Sequence, residues 1–283
     1  MPLEKPIAEN IATIIHSHIE VPELTFDFPV INRYSLELKE SFSSEKIELI
    51  KRYKKPAVME FLHLISLRVP FIIENGIENF KFYKEWSLQY INRVAGFRTV
   101  PVEIGRKYTD HNWSQKLLIL HDFMVEFMNE NSREIAYLAQ HQLFSQIPEL
   151  MNDIVEPDYL FADPEINVWM GPKGTVSPLH HDGEKHNLLA QIRGCKYVKL
   201  YKSDDTEFLY PHQDRLLSNT SKVDVENPDL ERFPLLKSAE AYHEHLYPGD
   251  MLYIPRSAWH FVKSMSMSLS INFWWAEEDS LGK

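Results

Sequence analysis

The chain has 283 residues, of which 44% are hydrophobic and 25% are charged, as in an ordinary globular protein of one large or two small domains. Its net charge of −11 argues against a broad nucleic-acid surface, because phosphate binding needs clustered lysines and arginines, and it is more compatible with a basic partner. The single cysteine excludes an internal disulfide, and no stretch has the character of a signal peptide or a membrane span, so we expect an intracellular protein in the nucleus, the cytoplasm or both.

Apolar residues at helical spacing predict that the first 165 residues are mainly helical. The segments that show this spacing lie near 35–54, 57–67, 81–95, 113–130 and 133–146. Two strands are predicted among them, at 69–76 and 97–105. Because the first convincing strand starts near residue 69, we expect residues 1–55 to be a helical N-terminal extension and residues 56–283 to be the main domain.

From Asn167 onward the sequence changes to short runs that favour β-strands and are separated by turn signals. These runs are INVWMG, TVSPLHHD, NLLAQIRG, CKYVKLY, EHLYPGDMLYIP, WHFVKSM and SLSINFWW. Helices followed by many short strands predict a β-barrel or sandwich, with a strand-rich core at about 165–275 and helices packed outside. Closure of such a core brings residues from distant strands to one mouth.

Two histidines and one carboxylate have the pattern of a metal site. Side chains alternate along a strand, so His180 and Asp182 share a face while His181 points away. With His260 from another strand they form the set that holds Fe(II) in non-heme oxygenases and leaves other positions open. A second His-x-Asp pair, at 212–214, lies in a polar stretch without alternation, and we expect it to be a surface loop.

A lysine near the ligand pair predicts a co-substrate site. Fe(II) chemistry at such a site usually needs an organic electron donor such as 2-oxoglutarate, whose far carboxylate needs a cation and hydroxyls. Lys196 lies on the strand-like run after the ligand pair, and Lys199 lies three positions further along. The two point to opposite faces of a strand, so only one faces inward, and periodicity does not choose between them.

Several long motifs resemble a JmjC domain. They are NVWMGPKGTVSPLHHD, NLLAQIRGCKYVKLY, SNTSKVDVENPDLERFP, PGDMLYIPRSAWHFV and SLSINFWW. Upstream, FRTVPVEIGRKYTDHNWSQ and LAQHQLFSQIPEL closely resemble one subgroup of that family, the Jumonji domain-containing protein five group. The resemblance runs from about residue 55 to 275. It implies a double-stranded β-helix of the jelly-roll, cupin-like kind, with surrounding helices, that uses Fe(II), 2-oxoglutarate and O2.

The resemblance also implies roles for individual residues. It makes His180, Asp182 and His260 the iron ligands, and it makes Lys196 the cation for the far carboxylate of 2-oxoglutarate. The other matches are two assisting hydroxyls (Tyr108 and Ser177), two co-substrate amides (Asn187 and Asn272) and two substrate-pocket residues (Trp169 and Glu74). The chain departs from the subgroup in having one extra residue between Asp182 and Asn187, and a shorter N-terminal region than the animal members.

The implied activity is oxidation of a basic side chain in a protein or peptide, with no direct nucleic-acid or membrane partner. We expect hydroxylation of an arginine side-chain carbon, and the alternative is demethylation of methyl-lysine in histones. Both reactions need the same triad and co-substrate site, so the sequence leaves both open. Two further alternatives are a JmjC-like binding or scaffold protein and a metal-binding cupin that does not use 2-oxoglutarate. The complete triad argues against the first, and Lys196 with Tyr108 argues against the second.

Overall fold

Two β-sheets dominate the computed structural model, which describes residues 21–31, 46–129, 132, 134–160 and 163–276. The smaller sheet has the strand order β1 (Lys46–Leu49), β11 (Glu240–Leu246), β10 (Lys196–Tyr201), β13 (Trp259–Ser264) and β8 (Val176–His180). The larger sheet has the order β2 (Lys51–Lys54), β3 (Phe71–Glu74), β12 (Met251–Ile254), β9 (His186–Arg193), β14 (Ser268–Trp275), β7 (Glu165–Gly171), β6 (Ala136–His141), β4 (Thr99–Ile104) and β5 (Ser114–Ile119). Apart from two parallel contacts made by β1 and β2, the strands pair in antiparallel fashion.

The two sheets face each other across an apolar interior. Val198 and Leu200 of β10 pack there with Leu189 of β9 and Leu252 of β12, because alternate side chains of each strand point inward. A larger apolar cluster covers the outer face of the nine-stranded sheet. Among the described residues the α-helices all precede β7, and they are α1 (Val58–Ser66), α2 (Lys81–Glu85), α3 (Leu88–Ala95), α4 (Leu120–Phe127) and α5 (Pro148–Met151).

The predicted cupin-like, mainly β fold with surrounding helices is confirmed, whereas part of the predicted helical content is wrong. Residues 46–54 form two strands, 114–119 form β5, and 136–141 form β6. Each of these strands hydrogen-bonds to a partner strand, and this pairing overrides local helical spacing. The partner of β5 is the preceding strand β4, whereas that of β1 is the distant β11. The rest of the predicted N-terminal extension, at 1–20 and 32–45, lies outside the described residues, and its boundary at residue 55 stays a prediction. Among the described helices, none is long and apolar enough to span a membrane.

Candidate active site

The three predicted metal ligands lie together between neighbouring strands. β13 pairs with β8, and His260 is the register partner of His180. The Nε2 atom of His180 lies 3.6 Å from Oδ1 of Asp182, and the Nε2 atom of His260 lies 3.5 Å from Oδ2 of the same carboxylate. One nitrogen or oxygen atom from each residue lies within 4.8 Å of the others. A single ion can therefore be reached by all three side chains.

Backbone carbonyls orient the two imidazole rings. Nδ1 of His180 lies 2.7 Å from the carbonyl oxygen of Pro178, and Nδ1 of His260 lies 3.1 Å from that of Ala258. A carbonyl only accepts, so Nδ1 of each ring carries the proton and Nε2 presents its lone pair to the shared space. Burial, followed by the proximity of His260, lowers the pKa of His180. A neutral ring is the form that a metal ion needs.

Two hydrogen bonds hold the carboxylate of Asp182 in place. Its Oδ2 atom accepts from Nδ2 of Asn187 at 3.0 Å and from the indole Nε1 of Trp274 at 3.1 Å. Burial raises the pKa of Asp182, but the two histidines and these two donors outweigh it, so the net effect lowers the pKa. The lowered pKa keeps this carboxylate ionised beside the two imidazole rings. Such a set suits a divalent transition metal and leaves the opposite coordination positions for other ligands.

An inner cavity continues from the triad to a buried lysine. Lys196 lines this cavity together with Tyr137, Ser177 and Asn187, and its side chain is almost fully buried. Burial alone lowers the pKa of Lys196 to about 7. Within the described part of the chain, no carboxylate forms an ion pair with its ammonium group, whose hydrogen bond at 3.2 Å goes to the hydroxyl of Tyr137. Lys199 does not line the cavity, and its ammonium group lies 5.5 Å from the ring centre of Tyr201.

Two buried amides also lack part of their hydrogen bonding among the described residues. Oδ1 of Asn187 and Nδ2 of Asn272 have no partner there, while Oδ1 of Asn272 accepts from Nε1 of Trp169 at 2.7 Å. A buried cation without a counter-charge and buried unsatisfied amides are costly unless a ligand completes them. The ammonium group of Lys196, which lines the inner cavity, suits an anionic group such as a carboxylate of 2-oxoglutarate, whereas Oδ1 of Asn187 needs a donor and Asn272 does not line the cavity. The inner cavity measures about 20 Å³, so it has to widen to admit a molecule of that size.

The predicted role of Tyr108 needs correction. Its hydroxyl lies 3.0 Å from Oγ1 of Thr220, and Tyr108 does not line the inner cavity. Tyr137 lines it instead, with a hydroxyl that contacts Lys196 and forms a hydrogen bond with the Ser177 side chain. Tyr137 lies on β6, in the segment 133–146 whose apolar spacing predicts a helix, and its place in the cavity was therefore not predicted. Burial along AYLAQH does not alternate, so no periodicity in the sequence marked Tyr137 as a site residue.

An outer cavity of about 360 Å³ lies next to the inner one, and both are lined by Tyr137, Trp169, Ser177 and His180. Glu103 contributes a carboxylate to the outer cavity, where it accepts a hydrogen bond of 3.3 Å from Nε1 of Trp113. Burial raises the pKa of Glu103, and this hydrogen bond only partly opposes it. The aromatic lining of the outer cavity consists of Tyr108, Trp113, Tyr137 and Trp169. A carboxylate among aromatic rings is suited to an organic cation.

The prediction that Glu74 lines the substrate pocket is wrong, since neither cavity includes it. β12 pairs through Ile254 with Asn187 near the triad and through Met251 with Ile73, which puts Glu74 at the far end of β3. There its carboxylate lies 3.6 Å from the guanidinium of Arg52. Glu103 was missed although VPVEI alternates along β4, so that the glutamate faces opposite to the buried valines.

The chain matches proteins of one family over most of its length. Residues 57–281 match the cupin-like domain. "Lysine-specific demethylase 8" of Xenopus tropicalis is 46% identical over 220 residues, which cover 76% of this chain and 49% of the relative. "Lysine-specific demethylase JMJ30" of Arabidopsis thaliana is 44% identical and covers 74% and 50%. "Jumonji C domain-containing protein 5" of Drosophila melanogaster is 44% identical and covers 73% and 54%. The chain spans about half the length of these relatives.

Proposed function

The chain belongs to the cupin-like family that includes the JmjC 2-oxoglutarate oxygenases, and we propose that it oxidises a basic side chain of a protein substrate, using Fe(II), 2-oxoglutarate and O2. The observation that carries this proposal is the convergence of His180, Asp182 and His260 beside a buried lysine without a counter-charge. A binding protein without turnover has no need of a complete triad. A cupin that does not use 2-oxoglutarate has no need of Lys196 in the inner cavity.

In this proposal His180, Asp182 and His260 hold the iron. Iron and 2-oxoglutarate, when bound, supply the activation of O2, in which 2-oxoglutarate becomes succinate and CO2 and the substrate gains one oxygen atom. Lys196 donates to the far carboxylate of 2-oxoglutarate, and its pKa rises when that carboxylate arrives. Tyr137 and Ser177 contribute hydroxyls at the same end, and Asn187 steadies Asp182.

The outer cavity supplies the substrate site in this proposal. Glu103 offers a counter-charge to a cationic side chain, since a buried cation needs an opposite charge to offset its lost hydration. Trp169 belongs to both cavities, so a side chain that reaches past it comes to His180. The protein's contribution is to orient one C–H bond of the substrate toward the iron and to keep bulk water away.

Methyl-lysine demethylation is the first candidate within this class. Two of the relatives above are named lysine-specific demethylases. An aromatic lining with a carboxylate also suits a methylated ammonium group, as in other aromatic cages. Oxidation of an N-methyl carbon gives an unstable hydroxymethyl amine, which releases formaldehyde and leaves the lysine with one methyl group fewer.

Arginine hydroxylation is the second candidate, and Glu103 is the observation that favours it. A guanidinium is planar and pairs well with a single carboxylate through two parallel hydrogen bonds. The carboxylate of Glu103 accepts from Trp113, and among the described residues no basic side chain forms an ion pair with it. The product in this case is an arginine residue with one added oxygen on a side-chain carbon and no loss of formaldehyde.

Mass spectrometry tests the proposal and separates the two candidates. The protein is incubated with Fe(II), 2-oxoglutarate, O2 and matched peptides that carry either a central dimethyl-lysine or a central arginine. Loss of a methyl group with formaldehyde release indicates demethylation, and gain of one oxygen on arginine indicates hydroxylation. Either product must disappear in the His180→Ala variant and when 2-oxoglutarate is omitted. If succinate formation never depends on 2-oxoglutarate and O2, the oxygenase assignment is wrong.

A further inference from the structure

The nine-stranded sheet extends past the outer cavity and ends in an exposed edge strand. β5 pairs with β4, and in the described part of the chain it has no partner on its other side. All of its residues are exposed except Leu118, which is half-buried. Leu117 is 73% exposed and Ile119 is 43% exposed. An edge strand with free backbone groups and exposed apolar side chains is a template for pairing with another strand.

The exposed face of β5 is continuous with the outer cavity. Gln115 is the register partner of Glu103, and both line that cavity. Side chains two and four positions along a strand lie on the same face, so Leu117 and Ile119 share the face of Gln115. The apolar surface therefore begins about 7 Å from Gln115, one strand repeat of two residues. It leads away from Glu103, which lines the outer cavity together with His180.

We propose that the β5 edge docks an extended segment of the protein substrate, which adds a strand to the sheet and presents its basic residue to the outer cavity. This proposal rests on the oxygenase function proposed above. With the basic residue beside Gln115, the residues two and four positions away lie beside Leu117 and Ile119. The preferred substrate segment therefore carries apolar side chains at those two positions on one side of its target.

Charge favours a basic substrate segment over a second copy of this chain. Two copies, each with a net charge of −11, repel each other, and each copy carries Lys116 on the edge strand that would pair. A lysine on an edge strand is a common defence against such self-pairing. A cationic peptide is attracted by the net charge of the protein and by Glu103. The basic target residue of such a peptide can also enter the outer cavity.

Fluorescence anisotropy with two labelled peptides tests the docking site without needing turnover. Both are 13-residue peptides with a central dimethyl-lysine and the same valines and serines. In one, valines occupy the second and fourth positions on each side of the lysine. In the other, they occupy the first and third. We expect the first peptide to bind the full chain, loaded with Mn(II) and 2-oxoglutarate, at least tenfold more tightly. Equal dissociation constants, or no binding by either peptide, would overturn the proposal.

Two matched variants locate the binding surface. Leu117→Asp should weaken binding of the first peptide at least tenfold, whereas Met59→Asp, at a residue 75% exposed on α1, should not change it. N-methylation of the backbone amides that flank the lysine should also weaken binding, because it removes strand hydrogen bonds. If Leu117→Asp instead dissociates a dimer and leaves peptide affinity unchanged, the edge serves self-association. If the first peptide binds but no turnover is observed, the result contradicts the proposed oxygenase function and leaves the β5 docking site standing.

Discussion

His180 and His260 are register partners on two antiparallel strands, and their ring centres lie 4.3 Å apart. Each ring makes a hydrogen bond through Nδ1 with a carbonyl of its own chain segment, which turns Nε2 toward Asp182. Residues that are 80 positions apart in the sequence are thus fixed by one strand pair. The metal site needs no large rearrangement to form, and its loss should affect chemistry more than folding.

Replacement of one ligand tests that relationship. His180→Ala should lower turnover more than about 100-fold, since loss even of groups that only orient a metal ligand costs about 10- to 100-fold in other proteins. Calorimetric titration with Mn(II) should show weakened metal binding, while far-ultraviolet circular dichroism stays unchanged. The matched variant is His181→Ala, at the next position along the chain. Turnover by His180→Ala at the wild-type rate would contradict the assignment of the triad.

Lys196 should determine affinity for 2-oxoglutarate. Lys196→Met removes a buried charge-assisted hydrogen bond, which contributes about 1.5–3 kcal/mol, so we expect the dissociation constant to rise about 10- to 100-fold. Lys199→Met is the control, because Lys199 lies outside the inner cavity. Without 2-oxoglutarate, Lys196→Met should have a higher melting temperature, since the cost of burying an uncompensated ammonium disappears. Equal 2-oxoglutarate affinity in the two variants would contradict the role of Lys196.

The same lysine predicts a pH dependence of co-substrate binding. Burial lowers its pKa to about 7 in the protein without ligand. Lys196 is therefore charged below about pH 7 and neutral above it, so affinity for 2-oxoglutarate should fall as the pH rises through this value. Well above pH 7 the affinity for 2-oxoglutarate should fall about tenfold per pH unit, as expected when one proton is bound together with the ligand. Titration calorimetry between pH 6 and 9 measures it, and the slope should vanish in Lys196→Met.

A pair of tyrosine variants tests the corrected position of the assisting hydroxyl. Tyr137→Phe should weaken 2-oxoglutarate binding by about 0.5–1.5 kcal/mol, or roughly two- to tenfold, because its hydroxyl contacts Lys196. Tyr108→Phe should leave that affinity unchanged, since its hydroxyl contacts Thr220 outside the inner cavity. The reverse pattern would restore the role that the sequence motif implied for Tyr108.

A pair of glutamate variants tests the substrate site. Glu103→Gln should raise KM for a basic peptide about 10- to 100-fold, because the cation loses its counter-charge. Glu74→Gln should leave KM unchanged, since that carboxylate lies beside Arg52. Burial raises the pKa of Glu103, so it is charged only above that raised value, and wild-type KM should increase as the pH falls through it. Steady-state kinetics at several pH values measure both effects, and a rise in KM with Glu74→Gln alone would reverse the correction.

Local patterns in the sequence were sufficient to predict the mainly β fold and the three metal ligands. The alternation of side chains along a strand puts His180 and Asp182 on one face whatever the surrounding structure, and the long motifs from Asn167 onward identified the family. The same alternation is present in VPVEI, where it puts Glu103 opposite to the buried valines, whereas AYLAQH shows none. Helical spacing was misleading at 46–54, 114–119 and 136–141, because short apolar runs satisfy both periods and pairing with other strands decides between them.

The sequence by itself determined the chemistry of the donor groups, namely two imidazoles, a carboxylate and a lysine near them. Only the tertiary structure decided which side chains meet. It placed Lys196 in the inner cavity, as the family motif implied, and it placed Glu103 at the outer cavity and Glu74 at the far end of β3. The physical reason is that sheet register and closure depend on hydrogen bonds between strands far apart in sequence, which no local pattern specifies.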